Sequence, residues 1–299
     1  MRVLAAIVTH NRRDLLTRCL DALDAQTRPP DAVLVIDNAS TDGTVEMLAA
    51  RGTWRIGQDN LGSAGGWHRA IAETLAHGYD AVWLMDDDGR PDPAALAVLA
   101  GALTPDMACI SSVVLREDAP DRFVFPFPAL DGAGHPALLA WPRKLATLPE
   151  LEARATGRTY AFAHLFNGAL VPRRTIEAIG NVEPAFFMFG DEVDYFYRMR
   201  RVGPVLSHLD AHHYHPDVTG RPLTEAKLYY YLKNTLVLNH RYMNRPALRD
   251  AATVGIGLLR YARRNGWRAA AAVMRGRRAV ARQAIARGLK GQVGQDHGR

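Results

Sequence analysis

Short apolar runs alternate with helical patterns along the first part of the chain. Val3–Thr9 and residues 32–36 have the composition of buried strands, and the apolar residues of 15–23 fall on one face of a helix that Asn11 can cap. This alternation predicts an α/β fold with a mostly parallel central sheet flanked by helices. The further predicted elements are strands at 54–58, 81–85, 108–115 and 166–171, and helices ending at 76 and spanning 94–103 and 173–179.

Residues 116–160 break this alternation. Six prolines interrupt a mixture of aromatic and apolar residues there. Proline removes a backbone donor and ends regular elements, so we expect an irregular excursion that lies beside the functional site and contacts a substrate.

The composition excludes a disordered or a fibrous protein. With 299 residues and 48% hydrophobic content, the chain can bury a full-sized core. Its two cysteines, Cys19 and Cys109, lie in apolar patterns without CxxC spacing, so we expect them to be packing residues in a reducing compartment. The N-terminal residues lack the pattern of a signal peptide, and no apolar run reaches about 18 residues. We therefore expect a cytoplasmic protein.

Basic residues concentrate in the C-terminal segment, which accounts for the formal net charge of +6. Small apolar residues alternate with them, a pattern typical of helices that lie on anionic membrane surfaces or pack on the rest of the protein. Nucleic acid binding is not expected, because the charge is confined to this segment and no recognition module is present. The basic residues are Arg245, Arg249, Arg260, Arg263, Arg264, Arg268, Arg275, Arg277, Arg278, Arg282, Arg287, Lys290 and Arg299.

Three consecutive carboxylates, Asp86, Asp87 and Asp88, follow the apolar run at 81–85 and precede a glycine. They fall at the carboxyl end of a predicted strand, the edge where open parallel sheets bind ligands. Adjacent acids repel one another unless a hard divalent cation takes their oxygens as ligands. We interpret them as a metal and diphosphate site; the alternative is an acidic turn exposed to water. Asp37, at the end of the second strand, suits hydrogen bonding to a nucleoside.

A second acidic group follows bulky apolar residues at 186–189. Asp191, Glu192 and Asp194 fall at a predicted helix start, where the helix dipole favours negative charge. An apolar wall beside clustered acids raises carboxylate basicity, which is what a general base needs. The alternative is an ordinary capped helix in which Asp194 pairs with Arg198.

Four histidines lie between His208 and His215. The spacing and the cysteines of a structural zinc site are missing. We expect His215, much later in the sequence, to be a further ligand of the metal held by the aspartates. His213, two positions away, is the competing candidate.

Together these motifs resemble the family 2 glycosyltransferases, which have the GT-A fold, a Rossmann-like nucleotide-binding architecture. Within that family they are most similar to bacterial galactofuranosyltransferases, with rhamnosyltransferases next. The resemblance covers most of residues 1–240. It implies a nucleotide-sugar-binding half at 1–115 and an acceptor-binding and catalytic half at 116–240, followed by a basic helical extension at 241–299. The motifs that carry it lie at 8–12, 35–44, 60–67, 83–89, 166–169 and 229–234.

The resemblance also implies roles for individual residues. Glu192 would be the catalytic base with Asp191 beside it, although the order Asp-Glu-Val-Asp departs from the commoner Glu-Asp-x-Asp and leaves the two roles exchangeable. The implied nucleotide and donor contacts are Thr9, Arg12, Asp37, Asn60, Asp86 and Asp87. The implied acceptor contacts are Trp67, Asn167, Asp191 and Asp194, and the implied metal ligands are Asp86, Asp88 and His215.

The activity implied is an inverting, metal-dependent transfer of galactofuranose from UDP-galactofuranose, with Mn²⁺ or Mg²⁺, to a glycan or lipid-linked acceptor in cell-envelope polysaccharide synthesis. Rhamnose transfer from dTDP-rhamnose is the nearest alternative. A metal-dependent nucleotidyltransferase or hydrolase, or a non-catalytic sugar-nucleotide-binding module, would use the same first half. A peripheral position on the inner face of the cell membrane is expected from the basic extension, and self-association into a homo-oligomer is left open.

Overall fold

The structure is a computed structural model that describes residues 1–138, 140–218, 220, 223–275 and 279–296. Its contacts divide the chain into two compact units. Unit 1 comprises 1–61, 66–181 and 198–218, and unit 2 comprises 62–65, 182–197 and 219–299. The domain boundary expected at residue 240 stays a prediction. Arg277, Arg278 and Arg299 of the basic segment lie outside the described residues.

Eleven named strands are found in the part of the chain that the structure describes. They are β1 (Val3–Thr9), β2 (Ala32–Asn38), β3 (Trp54–Gln58), β4 (Ala81–Asp86), β5 (Arg90–Pro91), β6 (Cys109–Arg116), β7 (Arg122–Pro128), β8 (Lys144–Thr147), β9 (Thr159–Tyr160), β10 (Asn167–Pro172) and β11 (Val205–His215).

The α-helices begin and end as follows, and a short 3₁₀ turn at Pro184–Phe186 precedes the seventh. They are α1 (Arg13–Asp24), α2 (Thr44–Arg51), α3 (Gly62–Ala76), α4 (Ala95–Ala102), α5 (Leu148–Glu152), α6 (Arg173–Ile179), α7 (Asp191–Met199), α8 (Glu225–Tyr242), α9 (Pro246–Asn265), α10 (Trp267–Arg275) and α11 (Val280–Leu289).

The central sheet of unit 1 has the strand order β3-β2-β1-β4-β10-β6-β11-β5. All pairs from β3 to β4 are parallel, β10 runs antiparallel between β4 and β6, and β11 is again parallel to β6. The predicted mostly parallel α/β sheet is therefore confirmed. In its register Thr9 lies beside Asp37, and Val8 lies beside Asp86. The ends of β1, β2 and β4 therefore bring their polar residues to one edge, as the run lengths predict.

Apolar strand residues and one face of each flanking helix form the core of unit 1. Leu16, Cys19, Leu20 and Leu23 of α1 are all buried, as their spacing predicts. Both cysteines are free and buried, and burial raises the pKa of each thiol. The expected packing role of the cysteines agrees with these surroundings.

Two local expectations are wrong. Residues 116–160 contain an antiparallel pair, β7 and β8. Phe123 and Phe127 of β7 are buried in a small cluster, and Pro126 and Pro128 lie in the same strand beyond its single register pair with β6 at Phe123. Asn11 does not cap α1. The N-cap residue is Arg12, and Asn11 has φ 53° and accepts a hydrogen bond from Thr41 N at 2.7 Å.

Unit 2 is built on α8, against which α9 and α11 pack. Tyr229, Tyr230 and Leu232 of α8 form a buried cluster with Tyr261 of α9 and Ala284 of α11, among others. No helix in the described part of the chain is both long enough and apolar enough to cross a membrane.

Candidate active site

Residues from β1, the turn after it and the end of β4 converge at one edge of the sheet. Thr9 Oγ1 donates to Asp87 Oδ2 at 2.7 Å. Arg12 Nη1 donates to Asp87 Oδ1 and Asp88 Oδ2, both at 2.9 Å. Four of the sequence-predicted residues thus form one connected cluster, in which a single guanidinium faces two carboxylates.

This cluster is shielded from water on its acidic side. Asp87 and Asp88 are 3% and 5% exposed, whereas the Arg12 side chain is 41% exposed. Burial raises the pKa of Asp87, and Arg12 and Thr9 act in the opposite direction. The acids outnumber their cation in a region of low dielectric, so a further positive charge bound here would be stabilised.

His215 and Asp88 are in direct contact. His215 Nε2 lies 2.9 Å from Asp88 Oδ1, and His215 Nδ1 lies 2.7 Å from the carbonyl oxygen of Pro216. The two side-chain atoms, His215 Nε2 and Asp88 Oδ1, are close enough for both to bind one cation. The donor set of carboxylate and imidazole suits Mn²⁺.

The described residues contain no group of three or more His, Cys, Asp or Glu side chains gathered for a metal. Asp86 therefore does not complete a three-residue set with Asp88 and His215 in this conformation. Its backbone N–H donates to Phe166 O at 2.7 Å, which fixes the strand end.

His213 occupies a different environment from His215. It is fully buried, burial lowers its pKa to about 3, and neither ring nitrogen has a hydrogen-bond partner among the described residues. A Cβ built on Gly89 would lie 1.9 Å from His213 Nε2. His213 thus packs under the turn that follows the aspartates, and His215 is the histidine in contact with them.

Asp37 is held by a residue that the sequence reasoning missed. Asp37 is fully buried and accepts hydrogen bonds from Ser40 N at 2.9 Å and from Arg55 Nε at 2.9 Å. Gly57 lies opposite Asp37 in the β2–β3 register, and a Cβ there would lie 2.7 Å from Arg55 Nη2. The guanidinium therefore crosses the strand over Gly57. An arginine followed two positions later by glycine on a strand is the signal for this arrangement.

Three further predicted residues lie in unit 1. Trp67 is fully buried and stacks on Phe166 with ring centroids 4.5 Å apart, so it packs in the interior, and acceptor binding by Trp67 stays a prediction. Asn167 is 5% exposed, pairs with Met85 in the sheet, and its Oδ1 has no hydrogen-bond partner within the described ranges. Asn60 is exposed on the turn before α3.

The second acidic group lies in unit 2, at the start of α7. Asp191 is 3% exposed, and its Oδ2 accepts a hydrogen bond from Ser63 Oγ at 3.2 Å. Burial raises the pKa of Asp191 to about 6, against the Ser63 hydrogen bond that favours the ionised form. Glu192 is half-buried. Asp191 is thus enclosed, whereas Glu192 is partly exposed to solvent.

Asp194 is anchored to α8. Tyr242 Oη donates to Asp194 Oδ1 at 2.7 Å, Arg241 Nη1 lies 3.4 Å from the same atom, and Tyr197 stacks on Tyr242. Arg198, the partner expected in the capped-helix alternative, donates to Ile179 O. These contacts fit an anchoring role, and acceptor binding by Asp194 stays a prediction.

Comparison with known proteins shows which family the sequence matches. Residues 5–139 match Glycosyl transferase family 2. Galactofuranosyltransferase GlfT1 of Mycolicibacterium smegmatis is 36% identical over 221 residues, covering 72% of this chain and 70% of that protein. N-acetylglucosaminyl-diphospho-decaprenol L-rhamnosyltransferase of Mycobacterium tuberculosis is 29% identical over 223 residues, covering 66% and 69%.

The fold has solved counterparts. Mannosyltransferase PcManGT from Pyrobaculum calidifontis, solved in complex with GDP-Man and Mn²⁺, superposes with a TM-score of 0.56 at 17% identity, covering 95% of this chain and 79% of that one. The structural neighbours are GT-A glycosyltransferases, which confirms the expected fold. The chain therefore belongs to glycosyltransferase family 2 and is a GT-A glycosyltransferase.

Proposed function

We propose that the chain is an inverting, metal-dependent galactofuranosyltransferase. It transfers galactofuranose from UDP-galactofuranose to a hydroxyl group of a glycan or lipid-linked acceptor in cell-envelope polysaccharide synthesis. The assignment of the donor rests on the 36% identity to a galactofuranosyltransferase over most of the chain. We assign nucleotide and donor binding to residues 1–115, acceptor binding and catalysis to 116–240, and attachment to 241–299.

The nucleotide diphosphate end of the donor binds at the sheet edge. Asp37, held by Arg55, accepts hydrogen bonds from the nucleoside, while Thr9, Arg12 and Asn60 complete nucleotide recognition. Asp87 lies beside the donor sugar. An ionised carboxylate accepts hydrogen bonds only, so a fixed Asp37 selects a group that donates.

Asp86, Asp88 and His215 would together hold Mn²⁺ or Mg²⁺. The contact between Asp88 and His215 supports this assignment, as does the Mn²⁺ in the related mannosyltransferase structure. When bound, the cation would neutralise the charge that develops on the leaving diphosphate.

Glu192 removes the acceptor proton. As the acceptor oxygen forms its bond to the anomeric carbon, the bond from that carbon to the phosphate oxygen breaks, and the nucleotide diphosphate leaves with the electron pair. The proton goes to the Glu192 carboxylate, and Asp191 orients the acceptor hydroxyl. We assign the base to Glu192 because it is half-buried, whereas Asp191 is enclosed. A single displacement inverts the anomeric configuration.

Glu192→Gln tests this assignment. We expect it to reduce turnover at least about a thousandfold, the upper part of the range for losing a general base, while UDP affinity stays within about twofold. Released nucleotide and isothermal titration calorimetry measure the two quantities. Turnover that survives in Glu192→Gln and is lost in Asp191→Asn would transfer the role of base to Asp191.

A donor panel tests the substrate. Wild-type protein is given UDP-galactofuranose or dTDP-rhamnose with a disaccharide or lipid-linked acceptor, in Mn²⁺, in Mg²⁺ or in excess EDTA. We expect UDP release and a glycosylated product only with the galactofuranose donor and a metal. Preference for dTDP-rhamnose would favour the rhamnosyltransferase alternative, to which the 29% identity points. Metal-dependent nucleotide release without sugar transfer would favour a hydrolase.

We also propose that the C-terminal helices attach the protein to an anionic bilayer on the cytoplasmic side. Trp267 is 71% exposed at the start of α10, and Leu248 and Leu259 are exposed on α9. Between residues 245 and 275 the only acid is Asp250, which is buried, against seven arginines. Exposed apolar side chains among arginines fit the interface of acidic lipids.

Vesicle flotation tests this attachment. Wild-type protein should float with vesicles containing phosphatidylglycerol and not with neutral vesicles, and high salt should release it. Trp267→Ala should reduce flotation, whereas Trp141→Ala, which removes a tryptophan that is 92% exposed in unit 1, should not. Equal flotation of all three proteins, or none with acidic vesicles, would refute the attachment.

A further inference from the structure

The loop that leads into α7 is strained. Phe187 has φ 62° and ψ −61°, and Met188 N donates to Phe186 O at 2.7 Å, which makes Phe187 the centre of a γ-turn with positive φ. Phe189 has φ 57°. Non-glycine residues in such regions cost about 1–3 kcal/mol each and persist only where their surroundings hold them. Asp191 and Glu192 follow directly after this loop.

One side chain of α8 holds the loop. Asn234 is fully buried, and its Nδ2 lies 3.0 Å from Phe186 O, 3.0 Å from Met188 O and 2.7 Å from Phe189 O. These three carbonyls flank the two residues with positive φ. Because the amide offers two N–H groups to three acceptors, its hydrogens are shared among them. Its Oδ1 has no hydrogen-bond partner among the described residues, so Asn234 acts here as a donor.

The same face of α8 fixes the end of the loop. A Cβ built on Gly190 would lie 3.0 Å from Asn234 Cβ and 3.2 Å from Leu238 Cδ1, and Gly190 has φ 97°. Arg241, one turn further, lies 3.4 Å from Asp194. Positions 234, 238 and 241 recur at i, i+4 and i+7, so one stripe of α8 contacts both the loop and α7.

From these contacts we propose that Asn234 is a positioning residue for the acidic group at the start of α7. By donating to Phe186, Met188 and Phe189 it holds the strained loop, and the loop in turn fixes the direction in which Asp191 and Glu192 project. This inference rests on the proposed function of Glu192 as the base. An acid displaced by about 1 Å loses proton-transfer geometry, at a cost of about a hundredfold in rate.

Asn234→Ala tests the role, and Asn239→Ala is its matched control. Asn239 is a buried amide on the same helix, but its Nδ2 donates to Asp250 Oδ1 at 2.9 Å on α9 and not to the loop. Both variants lose a buried hydrogen bond, so both should lower the melting temperature. Only Asn234→Ala should lower kcat, by about a hundredfold, with UDP affinity within about twofold.

Hydrogen exchange of the intact protein gives a second readout that needs no turnover. In Asn234→Ala the amides of 188–192 should exchange at least about tenfold faster than in wild type, and in Asn239→Ala they should be unchanged. Asn234→Asp, which keeps the size but places acceptors against three carbonyls, should match the alanine variant. If one Asn234 variant fails to fold, kcat and hydrogen exchange of the other variant still test whether Asn234 holds the loop.

Unchanged exchange at 188–192, or equal kcat losses in Asn234→Ala and Asn239→Ala, would overturn the inference. Failure of the proposed function gives a different result. Wild-type protein that transfers no sugar in the donor panel would remove the role of Glu192, while faster exchange in Asn234→Ala would still show that Asn234 holds the loop. The positioning of a catalytic base would then be refuted even though the contact stands.

Discussion

Replacing Asp191 by asparagine tests the buried carboxyl group at the start of α7. Asp191 is 3% exposed and accepts a hydrogen bond from Ser63 Oγ. Burial raises its pKa from the usual 3.8 to about 6. Asparagine has the same shape and can accept the same hydrogen bond through its carbonyl oxygen, but it does not ionise. The substitution therefore removes the cost of a buried charge and leaves the packing in place.

The magnitude follows from the two pKa values. The unfolded chain releases this proton near pH 3.8, and the folded protein holds it up to about pH 6. Stability from this group is therefore complete below pH 3.8 and is lost as the pH rises through 6. At about 1.4 kcal/mol per pH unit the loss is about 3 kcal/mol. Relative to wild type, Asp191→Asn should thus gain about 3 kcal/mol of unfolding free energy between pH 4 and pH 8.

Urea unfolding at several pH values, followed by circular dichroism and tryptophan fluorescence, measures this difference. Glu46→Gln, which removes an exposed carboxylate from α2, is the control for loss of one negative charge and should show no such gain. Ser63→Ala removes a bond that favours the ionised form, so it should move the transition to higher pH. A stability difference between Asp191→Asn and wild type that is equal at pH 4 and pH 8, or larger at pH 4, would refute the reasoning.

Three further predictions concern other parts of the chain. Asp88→Asn should reduce the Mn²⁺-dependent part of UDP affinity at least about tenfold, because it removes the carboxylate beside His215; unchanged metal dependence by calorimetry would count against the site. Gly57→Ala should displace the Arg55 guanidinium from Asp37 and weaken UDP binding about tenfold. Gly101→Ala, in open space on α4, is its control, and equal affinities would contradict the role of Arg55. Asp296→Asn should lower the free energy of unfolding by roughly 3 kcal/mol, because buried Lys233 loses a partner at 2.6 Å. Lys233→Met should cost less, and the reverse order in urea unfolding would refute this account.

The sheet and one edge of it could be predicted from the sequence because both depend on local signals. Buried parallel strands are continuous apolar runs, and Thr9, Asp37 and Asp86 each end such a run. Parallel strands place their carboxyl ends together, so the neighbourhood of these three residues follows without knowledge of the packing. The interaction of His215 with Asp88 was expected only from the chemistry of a metal site, since the two residues are 127 positions apart along the chain.

Other parts could not be predicted because their determinants are distant or irregular. Strand β11 alternates buried and partly exposed residues, but its four histidines interrupt the alternation of apolar and polar residues that predicts a strand. The histidines were therefore interpreted as candidate metal ligands. The pair β7–β8 was hidden by Pro126 and Pro128, which lie in β7 beyond its single register pair with β6 at Phe123. The only sequence signal for Arg55 is a glycine two positions later, and its role becomes clear once the register places Gly57 opposite Asp37.

The start of α7 combines two costs that a chain selected only for stability would remove. Phe187 and Phe189 adopt backbone conformations that disfavour side chains, and Asp191 keeps a carboxyl group where burial opposes its charge. Stabilising substitutions are available at such positions, and proteins retain the less stable residue where activity requires it. Asn234 supplies the hydrogen bonds that make the strained loop persist, and Asp191→Asn should give a more stable, less active protein at pH 8. If Asp191 had only a structural role, replacing it would lower both stability and activity. Loss of activity together with a gain in stability would therefore identify a functional acid.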